Sequence, residues 1–400
     1  MSITRKHIAV VGTNFAGYTA ALELKEMLGD QHDITVISPT HQFLFYPSLI
    51  WFPFGLRDEK DITFDVRPIY QSHNIKFIEK AATHFDLNNR LVHLEGHDPV
   101  SYDYLVIATG FSVDYDYVPG LREHAHSIIG IAEASKTREA WQRFLQNPGP
   151  AAVVSPQGTG CFGAAYEILF NMRYQLAKHH LREKSPLTYI TAEPYPAHFG
   201  IGGFGNARKM CEQLFKFYHI DSRFNVSVQA FEPDGVVLNT GEKIPSVFTI
   251  AIPRFKGAQC VRNTPSLGNE MGFIEVGNDY RHKQYPEVYV VGAAVDVKPP
   301  EKTEVPCGVP KTGYPSEQMA KIAAKNIVAD IKQLPKHYEE AFADMNALCI
   351  MDTGNMGMMI VGDHMLAPRA HEFIIPGPEA HWAKVAFEKY FMFTRRHAIV

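Results

Sequence analysis

One cysteine lies where a glycine-rich turn could activate it. Residues 151–191 read as a strand, a turn, a helix and a strand, and the turn is Gly158-Thr-Gly160-Cys161-Phe-Gly163. This glycine spacing matches a dinucleotide fingerprint and by itself would suggest a nicotinamide dinucleotide. Cys161 begins the predicted helix, where the positive end of the helix dipole lowers the pKa of a thiol. The turn therefore favours a sulfur nucleophile over a pyrophosphate, although a lone cysteine is more commonly a small buried hydrophobe.

A second glycine turn, near the start of the chain, predicts a dinucleotide site. Its residues are Gly12-Thr-Asn14-Phe15-Ala16-Gly17. Asn14 stands where the second glycine is usual, and asparagine tolerates left-handed backbone better than most residues. The next strand, 34–38, ends at Ser38 rather than at the carboxylate that usually binds a ribose. We therefore expect a dinucleotide at the following helix N-terminus, with a weaker ribose contact.

The two turns must be positioned by parallel sheets, so we predict an α/β fold with two Rossmann-like dinucleotide-binding domains. The first domain is expected to comprise residues 1–115 and 266–330, because the buried strand within 285–294 reads as the chain returning to the first sheet. Residues 116–265 are expected to form the second domain, which carries the cysteine turn. Residues 331–400 contain loops rich in Met and Pro and a terminal helix, and we expect a C-terminal membrane-associating segment there.

Composition and charge exclude several classes of protein. The 400 residues are 46% hydrophobic and 20% charged, as in a folded chain. A net charge of −4 gives no global field for nucleic acid, so we expect no nucleic-acid partner. Five widely spaced cysteines without a CxxC pair, and no HExxH motif, argue against a disulfide scaffold and against a metal site. We see no secretory signal and no apolar run of ~18 residues, so we expect neither a signal peptide nor a transmembrane helix.

Seven segments together resemble one known family. They are NFAGYTAALELK, FYPSLIWFPFG, YDYLVIATG, CFGAAYEILFN, HFGIGGFG, GVPKTGY and HWAKVAFEKYF. The chain resembles the sulfide:quinone oxidoreductases, flavoproteins with two dinucleotide domains, nearly from end to end. The resemblance implies FAD on the first glycine turn and a redox-active cysteine pair over the flavin, Cys161 and Cys349, the latter in CIMDTGNMG. The other three cysteines, Cys211, Cys260 and Cys307, match no catalytic position and are expected to be structural.

The resemblance also implies a reaction and a set of residues. Hydrosulfide would attack a Cys161–Cys349 bridge, sulfur would accumulate on Cys161, and Cys349 would pass electrons to FAD and from there to a quinone. Glu167 and His198 are candidates for the acid or base. Lys311 would stabilise the reduced flavin. The expected cofactor-binding residues are Gly12, Asn14, Phe15, Ala16, Gly17, Ser38, Pro47, Thr109, Gly110, Gly292, Ala293, Lys311, Thr312 and Gly313.

One segment departs from the family. Relatives usually carry a third cysteine, with a histidine four residues later, where this chain has Ile129 and Glu133. In some relatives that cysteine tethers the flavin or takes part in sulfur release, so the resemblance implies non-covalent FAD here. Turnover would then depend on the remaining pair, as in the related flavocytochrome c sulfide dehydrogenases.

Residues 380–396 have the pattern of an interfacial helix. Aromatic and apolar residues recur at helical spacing and basic residues lie among them: Trp382, Val385, Ala386, Tyr390, Phe393, Lys384, Lys389, Arg395 and Arg396. Aromatic rings suit the headgroup boundary and lysines can reach toward anionic lipid. We expect a peripheral, monotopic protein on the cytoplasmic or inner membrane near the quinone pool, on a face that the sequence leaves open. The alternative is an amphipathic helix packed on the core, and a homo-oligomer is compatible with either.

Two other functions stay open at this level. A type II NADH:quinone dehydrogenase would share the fold and would bind NADH at the second glycine turn, with Glu193 as a candidate ribose ligand. A divergent paralogue, or a flavocytochrome c-type sulfide dehydrogenase, would lack normal quinone turnover. Cys161 inside the turn and its match Cys349 argue against the dehydrogenase.

Overall fold

The structure, a computed structural model, describes residues 4–400. Strands and helices alternate in the first part of the chain, as the turn patterns predict. The elements are β1 (His7–Val11), α1 (Phe15–Leu28), β2 (Asp33–Ser38), β3 (Gln42–Leu44), α2 (Glu59–Ile62), β4 (Thr63–Asp65), α3 (Arg67–Ser72), β5 (Lys76–Glu79), β6 (Ala82–Asp86), β7 (Leu91–Leu94), β8 (His97–Ser101), β9 (Tyr104–Ile107) and β10 (Phe111–Val113). A short 3-10 helix, Tyr46–Ser48, follows β3.

The middle of the chain repeats the alternation. It contains α4 (Leu121–His124), α5 (Ile131–Gln146), β11 (Ala151–Ser155), α6 (Phe162–Lys178), β12 (Leu187–Thr191), α7 (Ala207–Tyr218), β13 (Ile220–Arg223), β14 (Val228–Glu232), β15 (Gly235–Leu238), β16 (Lys243–Pro245), β17 (Phe248–Ala251), β18 (Phe255–Gly257) and α8 (Gln259–Arg262).

The last part begins with a strand that returns to the first sheet. It contains β19 (Val288–Val290), α9 (Gly313–Lys332), β20 (Ala347–Asp352), β21 (Gly357–Gly362), β22 (Glu372–Gly377) and α10 (Pro378–Arg396). Two 3-10 helices, Gly292–Ala294 and Phe342–Asp344, lie between these elements.

Two parallel sheets form the framework. The first has the strand order β19-β9-β1-β2-β5, and the second has the order β13-β12-β11-β17. In each sheet the strand before a glycine turn, β1 or β11, lies in the interior, so its carboxyl end opens at a crevice where the strand order changes direction. The α/β fold with two Rossmann-like sheets is confirmed, and the exact domain boundaries stay predictions.

The C-terminal segment is not an independent unit. Strands β20, β21 and β22 form an antiparallel sheet whose inner residues join the core of the second parallel sheet, Ala347, Met351 and Ile360 among them. Helix α10 packs on this sheet, while Phe391 and Met392 at its far end enter the core of the first sheet. Burial of apolar surface on both sides therefore fixes α10 across the two domains. Within residues 4–400, no helix is long and apolar enough to cross a membrane.

Candidate active site

The first glycine turn requires glycine because backbone passes very close to it. Gly12 has φ +121°, and a Cβ there would lie 2.1 Å from the Ala108 carbonyl oxygen. A Cβ at Gly17 would lie 2.1 Å from the Gly12 oxygen. Side chains at either position would force strand and helix apart, so these two glycines set the approach of α1 to the end of β1.

The N-terminus of α1 presents unused hydrogen-bond donors. Asn14 caps the helix through its side chain, which accepts from the Phe15 N–H at 3.0 Å. In the described part of the chain the next two N–H groups, of Ala16 and Gly17, have no protein acceptor. The buried hydroxyl of Thr109, which follows β9, also has no partner. Free donors at a helix N-terminus and an orphaned buried hydroxyl fit the phosphates and sugar of a dinucleotide such as FAD.

Two later segments close over this turn. A Cβ at Gly292 would lie 2.9 Å from the Ala16 side chain, and a Cβ at Gly313 would lie 2.5 Å from the Phe15 ring. The fold thus brings the end of β19 and the start of α9 to the start of α1. The remaining expected residues have these places in the chain, and their contact with FAD stays a prediction: Ser38 ends β2, Gly110 follows Thr109, Ala293 follows Gly292, Lys311 and Thr312 precede Gly313, and Pro47 lies in the 3-10 helix after β3.

The second glycine turn is closed by the protein itself. Residues 305–308, here called the covering segment, lie on it. The Gly158 N–H donates to the Pro306 carbonyl at 2.6 Å, and a Cβ at Gly308 would lie 2.2 Å from the Thr159 carbonyl oxygen. The Thr159 and Gly160 N–H groups donate to other carbonyls, of Pro156 and Pro253. These contacts close the 158–160 loop against the protein, while the N–H groups of Gly163 and Ala164, at the start of α6, face the Cys161 sulfur.

The candidate ribose ligand of the second turn is also occupied. Glu193, after β12, is fully buried and accepts hydrogen bonds from Tyr166, Tyr189, Thr191 and the Phe199 N–H, at 2.8–3.1 Å. Burial raises the pKa of Glu193 to about 7, and these hydrogen bonds oppose the rise. Because its oxygens are satisfied inside the protein, Glu193 anchors the following loop instead of reaching a nucleotide.

Cys161 is the N-cap residue of α6 and is partly buried. Burial raises the pKa of its thiol, and the Glu167 carboxylate adds to the rise. The N–H groups of Ala164 and Gly163 and the Lys384 ammonium lower it, but they do not reverse the net direction. The expected net lowering by the helix N-terminus is therefore wrong, because desolvation outweighs the helix dipole at this position.

Cys349 is brought to the same place from the opposite end of the chain. It lies in β20 opposite buried Ile360, so its side chain is on the inner face of that sheet, yet solvent reaches it. The surrounding protein raises the pKa of its thiol; Glu167 and Cys161 add to the rise, and Lys384 opposes it. The two thiols, both free, thus share one electrostatic environment at an open crevice between β20 and α6.

Glu167 is the centre of a buried charged cluster beside the thiols. It forms an ion pair with Lys384 of α10 and accepts the Asp352 N–H at 2.7 Å. Burial raises the pKa of Glu167, while Lys384 and the Asp352 N–H lower it. Asp352 in turn accepts from Trp51 Nε1 at 2.9 Å and pairs with His381. Three elements distant in sequence therefore converge on the cysteine pair.

His198, the other acid or base candidate, has both ring nitrogens engaged elsewhere. The Gly200 N–H donates to Nδ1 at 3.2 Å, which leaves Nε2–H to donate to Glu301 at 2.9 Å. The ring is buried, whereas Glu301 is largely exposed. These contacts hold the loop that follows Glu193, and a direct role for His198 at the thiols stays a prediction.

Lys311 lies beside the start of α9 in an unusual environment for an ammonium. It donates to the Val295 carbonyl at 2.7 Å and lies 4.0 Å above the Phe273 ring. Burial lowers the pKa of Lys311 to about 8, and Asp296 opposes the change. A lysine with this pKa can both carry a charge and release a proton near neutral pH.

Helix α10 buries one row of charged side chains and exposes several aromatic residues on the opposite face. Lys384, Glu388 and Arg395 are buried and pair with Glu167, Arg57 and Glu317, respectively. Trp382, Tyr390 and Phe393 are 67%, 68% and 59% exposed. The expectation that Lys384 and Arg395 lie among the interfacial cations is therefore wrong, because the core supplies carboxylate partners for them.

Sequence reasoning missed the residues that organise the thiols: Trp51, Asp352, His381 and Lys384. All four lie in segments that carry the family resemblance. The available signal was periodicity, since Lys384, Glu388 and Arg395 share one face of a helix whose opposite face is aromatic. Their carboxylate and basic partners come from other elements and could not be read from the helix itself.

Comparison with known proteins agrees with these features. Residues 6–320 match the pyridine nucleotide-disulphide oxidoreductase family. The chain is 36% identical to a sulfide-quinone reductase of Aquifex aeolicus over 98% of this chain and 91% of the relative. The X-ray structure of the sulfide:quinone oxidoreductase from that bacterium covers 98% of this chain and 92% of its own, with a TM-score of 0.94 and 35% identity.

A more distant structure shares only the fold. NDH2 from Plasmodium falciparum, solved in complex with NADH, has a TM-score of 0.73 at 15% identity and covers 99% of this chain and 96% of its own. The overall fold is thus compatible with either electron donor, and the local geometry of the second turn must separate the two.

Proposed function

This chain belongs to the pyridine nucleotide-disulphide oxidoreductase family and, within it, to the sulfide:quinone oxidoreductases, and from that premise we propose that it oxidises sulfide through Cys161 and Cys349. It is an FAD-dependent oxidoreductase with sulfide as donor and quinone as acceptor. The observation that carries the cysteine assignment is the convergence of both thiols on the Glu167–Lys384 cluster.

The first step is thiol–disulfide exchange at the pair. In the oxidised state, hydrosulfide attacks the Cys161 sulfur of a Cys161–Cys349 disulfide; a new S–S bond forms on Cys161 and the old one breaks. The products are a Cys161 persulfide and a Cys349 thiolate, so charge and atoms balance. Glu167, within electrostatic range of both sulfurs, accepts the persulfide proton.

The residues of the first domain would hold FAD, whose isoalloxazine ring supplies two-electron transfer from a thiolate to a quinone when it is bound. The Ala16 and Gly17 N–H groups would bind its phosphates at the start of α1, and Thr109 would bind with its free hydroxyl. Lys311 would offset negative charge near the ring and release a proton at a pH close to 8. Without a cysteine at position 129, attachment would be non-covalent.

The test is anaerobic mixing of the purified holoprotein with sulfide and, separately, with NADH, while the oxidised flavin band is followed. We expect sulfide to bleach the band and quinone to restore it, because the relay supplies two electrons per sulfide. We expect NADH to leave it unchanged, because the covering segment lies against the second turn, where the dinucleotide would bind. Bleaching by NADH would contradict the proposal, and so would a failure of sulfide to bleach.

For the membrane, we propose a docking face made of the outward aromatic residues of α10 and the outward apolar residues of the β20–β22 sheet. Its exposed members are Leu348, Val361, Phe373, Ile375, Trp382, Phe387, Tyr390 and Phe393. Leu348 and Val361 are paired across β20 and β21, and Phe373 pairs with Val361 from β22, so these side chains share one face of the sheet. An apolar face of this kind suits insertion into one leaflet, where quinone is dissolved.

Flotation with phosphatidylglycerol-containing vesicles tests the docking face. We expect the protein to float with vesicles and the triple variant W382S/Y390S/F393S to stay in the dense fraction with its flavin retained. The matched control is F391S, which removes a buried aromatic side chain of the same helix and should alter stability rather than flotation. Release of the wild-type protein by salt alone would contradict apolar insertion. Light scattering of the detergent-solubilised protein would determine its oligomeric state.

A further inference from the structure

Lys384 is the unexpected residue of the terminal helix. The helix exposes aromatic side chains, yet Lys384 is only 4% exposed and points into the protein. Its ammonium forms an ion pair with Glu167 and lies 5.6 Å from the Trp51 ring centroid. Burial of an ammonium group costs free energy unless the group is paired, so we expect the Glu167–Lys384 ion pair to have a specific electrostatic function.

The same ion pair acts on both thiols in opposite senses. The Glu167 carboxylate disfavours the thiolate of Cys161 and of Cys349, and the Lys384 ammonium favours each of them. The relay requires one of these sulfurs to leave as a thiolate. A carboxylate with no partner at this point would therefore oppose the chemistry, and Lys384 offsets that charge.

We propose that Lys384 is a positioning residue of the sulfur relay: it holds the Glu167 carboxylate beside Cys161 and Cys349 and offsets its negative charge. This inference rests on the proposed relay. It adds that the helix carrying the docking face also completes the electrostatics of the thiols, so a correctly seated α10 is part of the active site.

The other polar groups around the Glu167–Lys384 pair come from three separate parts of the chain. Asp352 of β20 donates its N–H to Glu167, and its carboxylate is held by Trp51 and by His381 of α10. Since Asp352 already has these partners, Lys384 is the cation that pairs with Glu167. Removal of Lys384 would leave the buried carboxylate as the nearest unpaired charge to both sulfurs.

The test is the pH dependence of thiol alkylation by iodoacetamide in the reduced, FAD-loaded protein, with Cys161 and Cys349 resolved by peptide mass spectrometry. For Lys384→Met we expect the midpoint of alkylation to rise by about one pH unit, which means about tenfold slower alkylation below the midpoint. Lys389→Met is the matched control, because Lys389 lies on the same helix with its side chain 63% exposed, and should leave the midpoint unchanged.

Two further variants separate an electrostatic role from a structural one. Glu167→Gln should lower the midpoint, because it removes the opposing charge, and Lys384→Arg should restore wild-type behaviour. If Lys384 had only a structural role, Lys384→Met and Glu167→Gln would shift the alkylation midpoint in the same direction, and that result would overturn the proposal. If Lys384→Met fails to fold, an unchanged or raised midpoint in Glu167→Gln would still contradict it. Alkylation needs no sulfide, so its outcome is independent of whether sulfide reduces the flavin.

Discussion

The two glycine turns share a strand–turn–helix framework, but their backbone N–H groups have different partners. In the first turn, Ala16 and Gly17 keep free donors at the start of α1. In the second, Gly158 donates to the covering segment at 2.6 Å, and the next two N–H groups also donate to carbonyls. At the start of α6 the N–H groups of Gly163 and Ala164 face the Cys161 sulfur, so a glycine fingerprint indicates a tight turn, and the groups that its helix start faces indicate the ligand.

The second turn differs from the first in the residue that starts its helix and in the surroundings of the carboxylate after its next strand. Its helix begins with Cys161, and the carboxylate after the next strand, Glu193, is tied to two tyrosines instead of a ribose. The following predictions test this contrast between the turns.

The largest effect is expected from removal of either sulfur of the pair. In Cys161→Ser and Cys349→Ser the exchange step cannot occur, so sulfide-dependent flavin bleaching should fall by about a thousandfold or more. FAD content should stay normal because the first turn is untouched, and stopped-flow absorbance measures both quantities. Cys260→Ser is the control, since Cys260 is buried in the core of the first domain. Retained bleaching in either pair variant would refute the relay.

A glycine substitution should distinguish the two turns almost as sharply. In Gly17→Ala the new Cβ would meet the Gly12 carbonyl oxygen at 2.1 Å, so strand and helix must separate and FAD affinity should fall by about a hundredfold. In Gly163→Ala nothing lies within 4 Å of the new Cβ, so FAD content should be unchanged. Fluorescence titration of the apoprotein with FAD measures the difference. Equal losses in the two variants would mean that the second turn also binds the cofactor.

Glu193, near the second turn, should make the stability of the folded chain depend on pH. The pKa of Glu193 is raised to about 7 in the folded chain, whereas an unfolded carboxyl loses its proton near pH 4.3. The contribution of Glu193 to the stability of the folded chain is therefore complete below about pH 4 and is lost as pH rises through 7. The loss is at most about 4 kcal/mol. Glu193→Gln should lack this pH dependence, so its thermal midpoint should rise relative to that of the wild type between pH 5 and 8. A constant difference in thermal midpoint over that range would contradict this assignment.

A smaller effect is expected at Lys311, on the cofactor side of the contrast. Its ammonium exists below a pKa of about 8 and is lost above it, so the stabilisation of a reduced, anionic flavin should weaken as pH rises through 8. In Lys311→Met the flavin potential should be lower by about 30 mV at pH 7, equivalent to about tenfold. The wild-type and variant potentials should converge above pH 9. Parallel potentials over the whole range would show that Lys311 does not act as the charge.

The family, the α/β fold and FAD could be predicted from the sequence because local patterns carry them. Hydrophobic runs that precede glycine turns mark β1 and β11, the strands before the two predicted turns. Cys161 could be singled out because it lies inside one of these turns. Cys349 could not be found by spacing and depended on resemblance, since it is far from Cys161 in sequence and lies in a different sheet.

Whether the protein raises or lowers the pKa of the Cys161 thiol could not be predicted from local patterns. The helix N-terminus at Cys161 is a local feature and favours a thiolate, but the net pKa depends on burial and on Glu167. Likewise the basic residues of α10 suggest a lipid-facing surface, and only the core partners of Lys384 and Arg395 reverse that interpretation. The pKa and the orientation of a charged side chain depend on its neighbours, and those neighbours come from other elements of the fold.

The sequence by itself determined the turns, the strands and helices that flank them, and the amphipathic pattern of the terminal helix, because these depend on residues close together in the chain. Only the tertiary structure decided which turn the protein itself covers, because the covering segment arrives from residues 305–308. The tertiary structure also decided that Lys384, Glu388 and Arg395 of α10 face inward, since each has a partner from a distant element. Hydrogen-bond donors and buried charges are satisfied by whatever the fold brings near, and local sequence does not encode that.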